Sequence, residues 1–122
     1  MSSGAETTPE PVRNEDLANV HRQLASLSVA LDRAIDEAPD AATVRRLTAQ
    51  IAALNVRITA VGRQLFAARS AEIAAAARDI HETIPEVERA LADLARLDDA
   101  LSGLTAVLGI VDKAVGIADP AG

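Results

Sequence analysis

The chain has no cysteine, tryptophan or tyrosine, and Phe66 is its one aromatic residue. Without thiols it can form neither a disulfide nor a thiolate metal site, and a reducing compartment is a natural setting. With a single ring, base stacking and an aromatic-lined ligand pocket have almost no raw material. No run of about 18 apolar residues occurs, so no transmembrane helix is expected. The opening residues, MSSGAETTPEP, lack the basic and apolar regions of a signal peptide, so the expected location is cytoplasmic. A basic excess is missing too. The net charge of -6 and the pI near 4.8 argue against a nucleic-acid binder, which needs a basic face.

What is present is the composition of helices. Alanine is the commonest residue, and with Leu, Arg, Glu and Asp it suits bundles rather than sheets. At 122 residues the chain is one domain by length, large enough for a core without staples. Residues 1–13 combine Ser, Thr, Gly and two prolines with no periodicity and read as a disordered tail. The last residues, 119–122, read as a terminating tail.

Between the tails the apolar spacing predicts three helices, at about 14–38, 41–82 and 84–118. The first carries Leu17, Val20, Leu24, Leu27, Leu31 and Ile35 in steps of three and four, with Asn14 as its N-cap. Pro39 ends it and Asp40 caps the next, a turn short enough to make the two antiparallel neighbours. The second is organised on Val44, Leu47, Ile51, Leu54, Ile58, Val61 and Leu65, a heptad seam. No proline interrupts it before Thr83-Ile84-Pro85-Glu86, which reads as a capping box opening the third helix. The competing reading is a kink in a continuous helix, because Ile73, Ile80, Val87, Leu94, Leu101, Leu108 and Val115 keep seven-residue spacing across Pro85. In the third helix Gly103, Gly109 and Gly116 invite fraying, bending or close packing.

The expected fold is therefore all-α: an antiparallel three-helix bundle with one short and two long amphipathic helices. A second helix of about 60 Å would outrun the first, which would be about 36 Å long. The half holding Leu65, Phe66, Ile73, Ile80 and Ile84 would then lie beside the third helix alone, leaving an apolar stripe in water. A second copy is the simplest cover, so a homodimer is expected. Its interface candidates are Leu65, Phe66, Ile73, Ile80, Ile84, Leu101, Leu104 and Leu108. The alternative is a compact monomer, with the second helix broken near Ser70 or the glycine-rich half of the third folding back.

Charge is segregated. No acid lies between Asp40 and Glu72, a stretch holding Arg45, Arg46, Arg57, Arg63 and Arg69, while the flanking helices are acidic. A basic helix between two acidic ones fixes neighbours more than it stabilises, since an exposed pair contributes about 0–1 kcal/mol. Meeting phosphate is the functional alternative for these arginines, and the adjoining acidic helices disfavour it.

Catalytic and metal constellations are missing. His81 lies among Asp79 and Glu82, but side chains one or two apart on a helix do not converge, and no HExxH or ExxH spacing occurs. His21 is expected far from His81. Asp36-Glu37 and Asp98-Asp99 are pairs in sequence only. Ser26, Ser28, Ser70 and Ser102 sit in no nucleophile motif, and no glycine-rich phosphate loop follows a strand. The reading is non-enzymatic, without cofactor or metal: a scaffold, adaptor or small chaperone offering an apolar helical surface to itself or to another helical protein. An amphipathic coat for a membrane or storage granule is the alternative, motivated by the apolar run LSGLTAVLGIV at 101–111.

Overall fold

In the computed structural model, residues 14–68 and 70–118 are described, and the two tails read from the sequence lie outside them. Four α-helices form: α1, Glu15–Asp36; α2, Ala41–Arg63; α3, Ala71–Leu91; and α4, Leu97–Ala118, entered through a 3₁₀ turn at Leu94–Arg96. The described residues contain no strand. The all-helical class stands as read from the sequence; the count of three helices does not.

Short polar side chains set the helix starts. Asn14 Oδ1 accepts the N–H groups of Asp16 and Leu17 at 3.0 and 3.2 Å. Asp40 Oδ1 accepts that of Thr43 at 2.8 Å, and Ser70 Oγ that of Ile73 at 3.1 Å. Each satisfies a donor that would otherwise be left without a partner in the first turn. Asn14 and Asp40 were legible as caps. Ser70 was legible only as the breakpoint of the alternative compact chain, and it divides the expected long helix into α2 and α3.

The cause of that break is a slip in the apolar register. Continuing the α2 seam beyond Leu65 in steps of three and four reaches Ala68 and then Glu72, a carboxylate at a core position. The apolar pattern restarts one residue later, at Ile73. A continuous helix would have to turn Glu72 inwards or leave Ile73 and Ile80 facing away from the seam. Breaking at 64–70 lets both isoleucines reach the core, where each is buried.

Pro85 corrects the other boundary. It lies inside α3 rather than at the start of a helix. Its ring removes one backbone hydrogen bond and crowds the carbonyl of His81. Ile80, Ile84, Val87 and Leu91 are nevertheless all buried on one face of the continuous helix. That burial outweighs the local preference for a helix start. Thr83, read as a cap, instead donates its hydroxyl to the Asp79 carbonyl at 2.8 Å within the same helix.

The four helices form a square in which α1 touches α2 and α3, and α4 touches α3 and α2. Successive helices α1–α2 and α3–α4 make two hairpins. The hairpins lie side by side with like helices parallel: Ser26 donates to Glu88 between α1 and α3, and Arg46 and Arg57 meet Asp98 and Asp112 between α2 and α4. The 64–70 connection therefore runs diagonally across one end of the bundle. Asn14, only 2% exposed, fastens it there. Its backbone N–H donates to the Leu65 carbonyl at 2.6 Å, and its Nδ2 donates to the carbonyls of Ala67 and Ala68 at 3.3 and 3.4 Å.

Leu17, Leu24, Leu27 and Leu31 of α1, Leu47, Leu54 and Val61 of α2, and Leu104 and Val107 of α4 complete the interior with the α3 isoleucines. The α2 seam is divided, with Leu47, Leu54 and Val61 buried and Val44, Ile51 and Ile58, followed by Leu65 in the turn beyond, only partly so. It sits at the shallow corner of the bundle.

Candidate functional site

The residues expected to form an interface divide sharply. Ile73, Ile80, Ile84, Leu101, Leu104 and Leu108 are buried in the chain's own core, and Leu65 is partly buried against it. In this fold they present no outward stripe, because α3 turns back onto α1 and α4. Among the described residues, the apolar stripe for which a second copy was expected is covered by the chain itself. Phe66 alone of the eight is open to solvent, at 63% exposure. The apolar run at 101–111 is likewise turned inwards at Leu101, Leu104, Val107, Leu108 and Val111, with Ile110 partly buried.

The two histidines lie on different faces of α1. His21 lies against Gly62 of α2, where an added Cβ would come within 3.4 Å of its Nε2. His81 faces the opposite side of α1, where Gln23 Nε2 meets its Nδ1. Because α3 runs parallel to α1, the two histidines share one level of the bundle, contrary to the separation expected for an antiparallel pair. They remain on different faces of α1. A groove of about 510 Å³ between α1 and α3 is lined by Asp16, Asn19, Gln23, Arg78 and His81. Among the described residues no group of three or more His, Asp or Glu side chains could hold a metal ion. No described helix is long and apolar enough to cross a membrane.

What the fold does assemble is a one-sided surface on α2. The helix carries Arg45, Arg46, Arg57 and Arg63 and no acid. Two of these arginines face α4. Arg57 grips Asp112 with both arms, Nε to Oδ1 at 3.0 Å and Nη2 to Oδ2 at 2.9 Å, and its Nη1 donates to the Ala53 carbonyl at 3.1 Å. Arg46 Nη2 reaches Asp98 at 2.6 Å in a much more open pair. The forked geometry makes the first the stronger of the two. The sequence expectation of a basic helix between acidic neighbours is met on the α4 side, with α2 and α4 parallel rather than antiparallel.

Arg45 and Arg63 point elsewhere. They are separated by about five helical turns, so they share one angular position, directed away from the core. Between them on that face lie Ala49, Ala52, Val56 and Thr59, all exposed. Val56 is 66% exposed, and Phe66 follows in the turn after α2. Sequence reasoning passed over Val56 because the seam at Val44–Leu65 had claimed the apolar residues of this helix. The available signal was a valine off that seam, surrounded by alanines.

Compared with known proteins, the chain matches no protein-family model, no curated protein sequence and no solved structure.

Proposed function

We propose that this chain is a non-enzymatic helical interaction protein, a scaffold, adaptor or small chaperone that acts through an outer helix face. The observation that carries this reading is the position of its solvent-facing apolar side chains. The core is closed by buried residues from all four helices, yet Val56 and the single aromatic residue, Phe66, are left outside on and just beyond α2, and are more exposed than Val29 on α1, the other large apolar side chain in solvent among the described residues. A large apolar group in water gains about 1.5–3 kcal/mol on burial, so such groups on one helix favour contact with another chain. The scattered histidines, serines and carboxylates offer no competing chemistry.

Site-specific photo-crosslinking tests it. A benzophenone side chain placed at Val56, at Phe66, or at Glu82 on the outer face of α3, is irradiated in the protein's own host cells. Discrete cross-linked protein bands at Val56 and Phe66 but not at Glu82 are expected. Equal labelling at all three positions, or none at any, would remove the reading. Cross-linking into lipid would replace it with the surface coat, and a cross-link to a second copy would make self-association its form.

A further inference from the structure

We propose that the outer face of α2, from Arg45 to Arg63, docks an acidic amphipathic helix of a partner protein. The inference rests on the interaction-protein reading and names the partner's chemistry. Its first support is electrostatic. A chain with a net charge of -6 has gathered four arginines and no acid on one helix. Arg46 and Arg57 are neutralised internally by Asp98 and Asp112, whereas Arg45 and Arg63 form no ion pair among the described residues. The carboxylate nearest in sequence to Arg45 is Asp40, which caps Thr43 and feels the Arg45 charge without forming an ion pair with it. These two arginines lie about 27 Å apart along one face, the length of a docked helix of moderate size.

Shape supports the same occupant. Ala49, Ala52 and Thr59 keep the face low around Val56, so a second helix axis can approach to about 8–10 Å. Val56 then stands as a single knob for the partner's apolar seam. The basic face is also only one helix wide. It is flanked by α1 and α4, and on the α4 side Asp98 and Asp112 reach across to Arg46 and Arg57. A bilayer or a nucleic-acid duplex is broader and would meet those carboxylates, whereas a single helix would not.

A second copy fits less well. A two-fold contact through this face would set arginines against arginines. The acidic outer face of α3, with Glu72, Asp79, Glu82 and Glu86, is exposed but offers no large apolar side chain to pack on Val56. The partner that matches carries glutamates or aspartates towards both ends of an apolar, small-residue seam.

The test uses the full chain and two dye-labelled synthetic helices, one with a leucine–alanine seam flanked by glutamates and a twin with lysines in their place. Fluorescence anisotropy reads binding; phosphatidylglycerol vesicles and light scattering complete the comparison. The glutamate helix should bind and the lysine twin should not. The double variant R45E/R63E should weaken glutamate-helix binding by about tenfold or more and acquire affinity for the lysine twin. V56D should weaken binding with the helix content unchanged by circular dichroism.

Equal binding of both helices, binding of neither, or indifference to R45E/R63E would overturn the proposal. So would vesicle binding, or a dimeric mass, that is lost in R45E/R63E while the glutamate helix fails to bind. Protein cross-linking at Val56 without glutamate-helix binding would sink the acidic partner and leave the interaction-protein reading standing. Absence of both would remove the two together.

Discussion

Asn14 donates its backbone N–H to the Leu65 carbonyl at 2.6 Å, joining the first residue of the bundle to the diagonal connection between its hairpins. The same side chain caps α1 and reaches the carbonyls of Ala67 and Ala68. Asn14→Ala should therefore lower stability by about 2 kcal/mol, more than a cap alone at about 1. Asn14→Ser retains a cap acceptor but not the two donors to the connection, so it should fall between the wild type and Asn14→Ala. Urea unfolding followed by far-UV circular dichroism gives the order; an Asn14→Ser variant as stable as the wild type would assign Asn14 to capping alone, and equal losses for the two variants would assign it to the connection alone.

Pro85 is exposed and inside α3. Pro85→Ala restores a backbone N–H to the helix ladder and relieves the His81 carbonyl, so stability should rise, by up to about 3 kcal/mol. If a helix began at this proline, the same change would be neutral or harmful. Thermal unfolding separates the two readings.

The glycines of α4 should respond with opposite signs. A Cβ at Gly103 would stand 2.8 Å from Val87 Cγ2, and Val87 is a buried, β-branched side chain with little freedom to move. Gly103→Ala should destabilise by about 1 kcal/mol or more despite its better helix propensity, and Val87→Ala should relieve part of that strain in the double variant. At Gly109 a Cβ would meet nothing within 4 Å. Gly109→Ala should stabilise by about 0.5–1 kcal/mol. Matched denaturation curves check both.

Asp40 gives the bundle an acid-sensitive corner. The Thr43 N–H, followed by the Thr43 hydroxyl, holds the Asp40 carboxyl below its ordinary range. A carboxyl depressed in the folded state contributes stability in full above its unfolded pKa, and that contribution is lost as pH falls through the folded value. Asp40→Asn keeps an oxygen to cap Thr43 and removes the titration. The stability gap between wild type and this variant should narrow as pH falls from neutral through the carboxylate range. A gap independent of pH would mean that the charge of Asp40 is immaterial to the cap.

Legibility followed the range of the interactions. Asn14, Pro39 and Asp40 act on the turn beside them, and the sequence showed the start and end of α1 plainly. Ser70 is as good a cap as Asn14, but the heptad seam at Val44–Leu65 and the alanines after it implied uninterrupted helix. Only the slip from Leu65 to Glu72 and Ile73 recorded the break. At Pro85 the local rule pointed to a helix start, while burial of Ile80, Ile84 and Val87 held the helix together. The surface was harder still. Ile73 and Ile80 looked uncovered because nothing local says that α3 folds back, and Val56 looked unimportant because its exposure depends on which faces of α2 its neighbours cover.

The diagonal link at 64–70 makes the molecule a tethered heterodimer of hairpins. Each hairpin has its own turn and contributes its own share of the core, and with no cysteine in the chain this link is their one covalent tie. A short tether holds its ends at an effective concentration in the millimolar range. Severing it would leave the hairpins to find each other by diffusion, and the fold would become dependent on protein concentration. Asn14 clamps that tether, its backbone on Leu65 and its side chain on Ala67 and Ala68, so one residue ties the start of the first hairpin to the link that leads into the second.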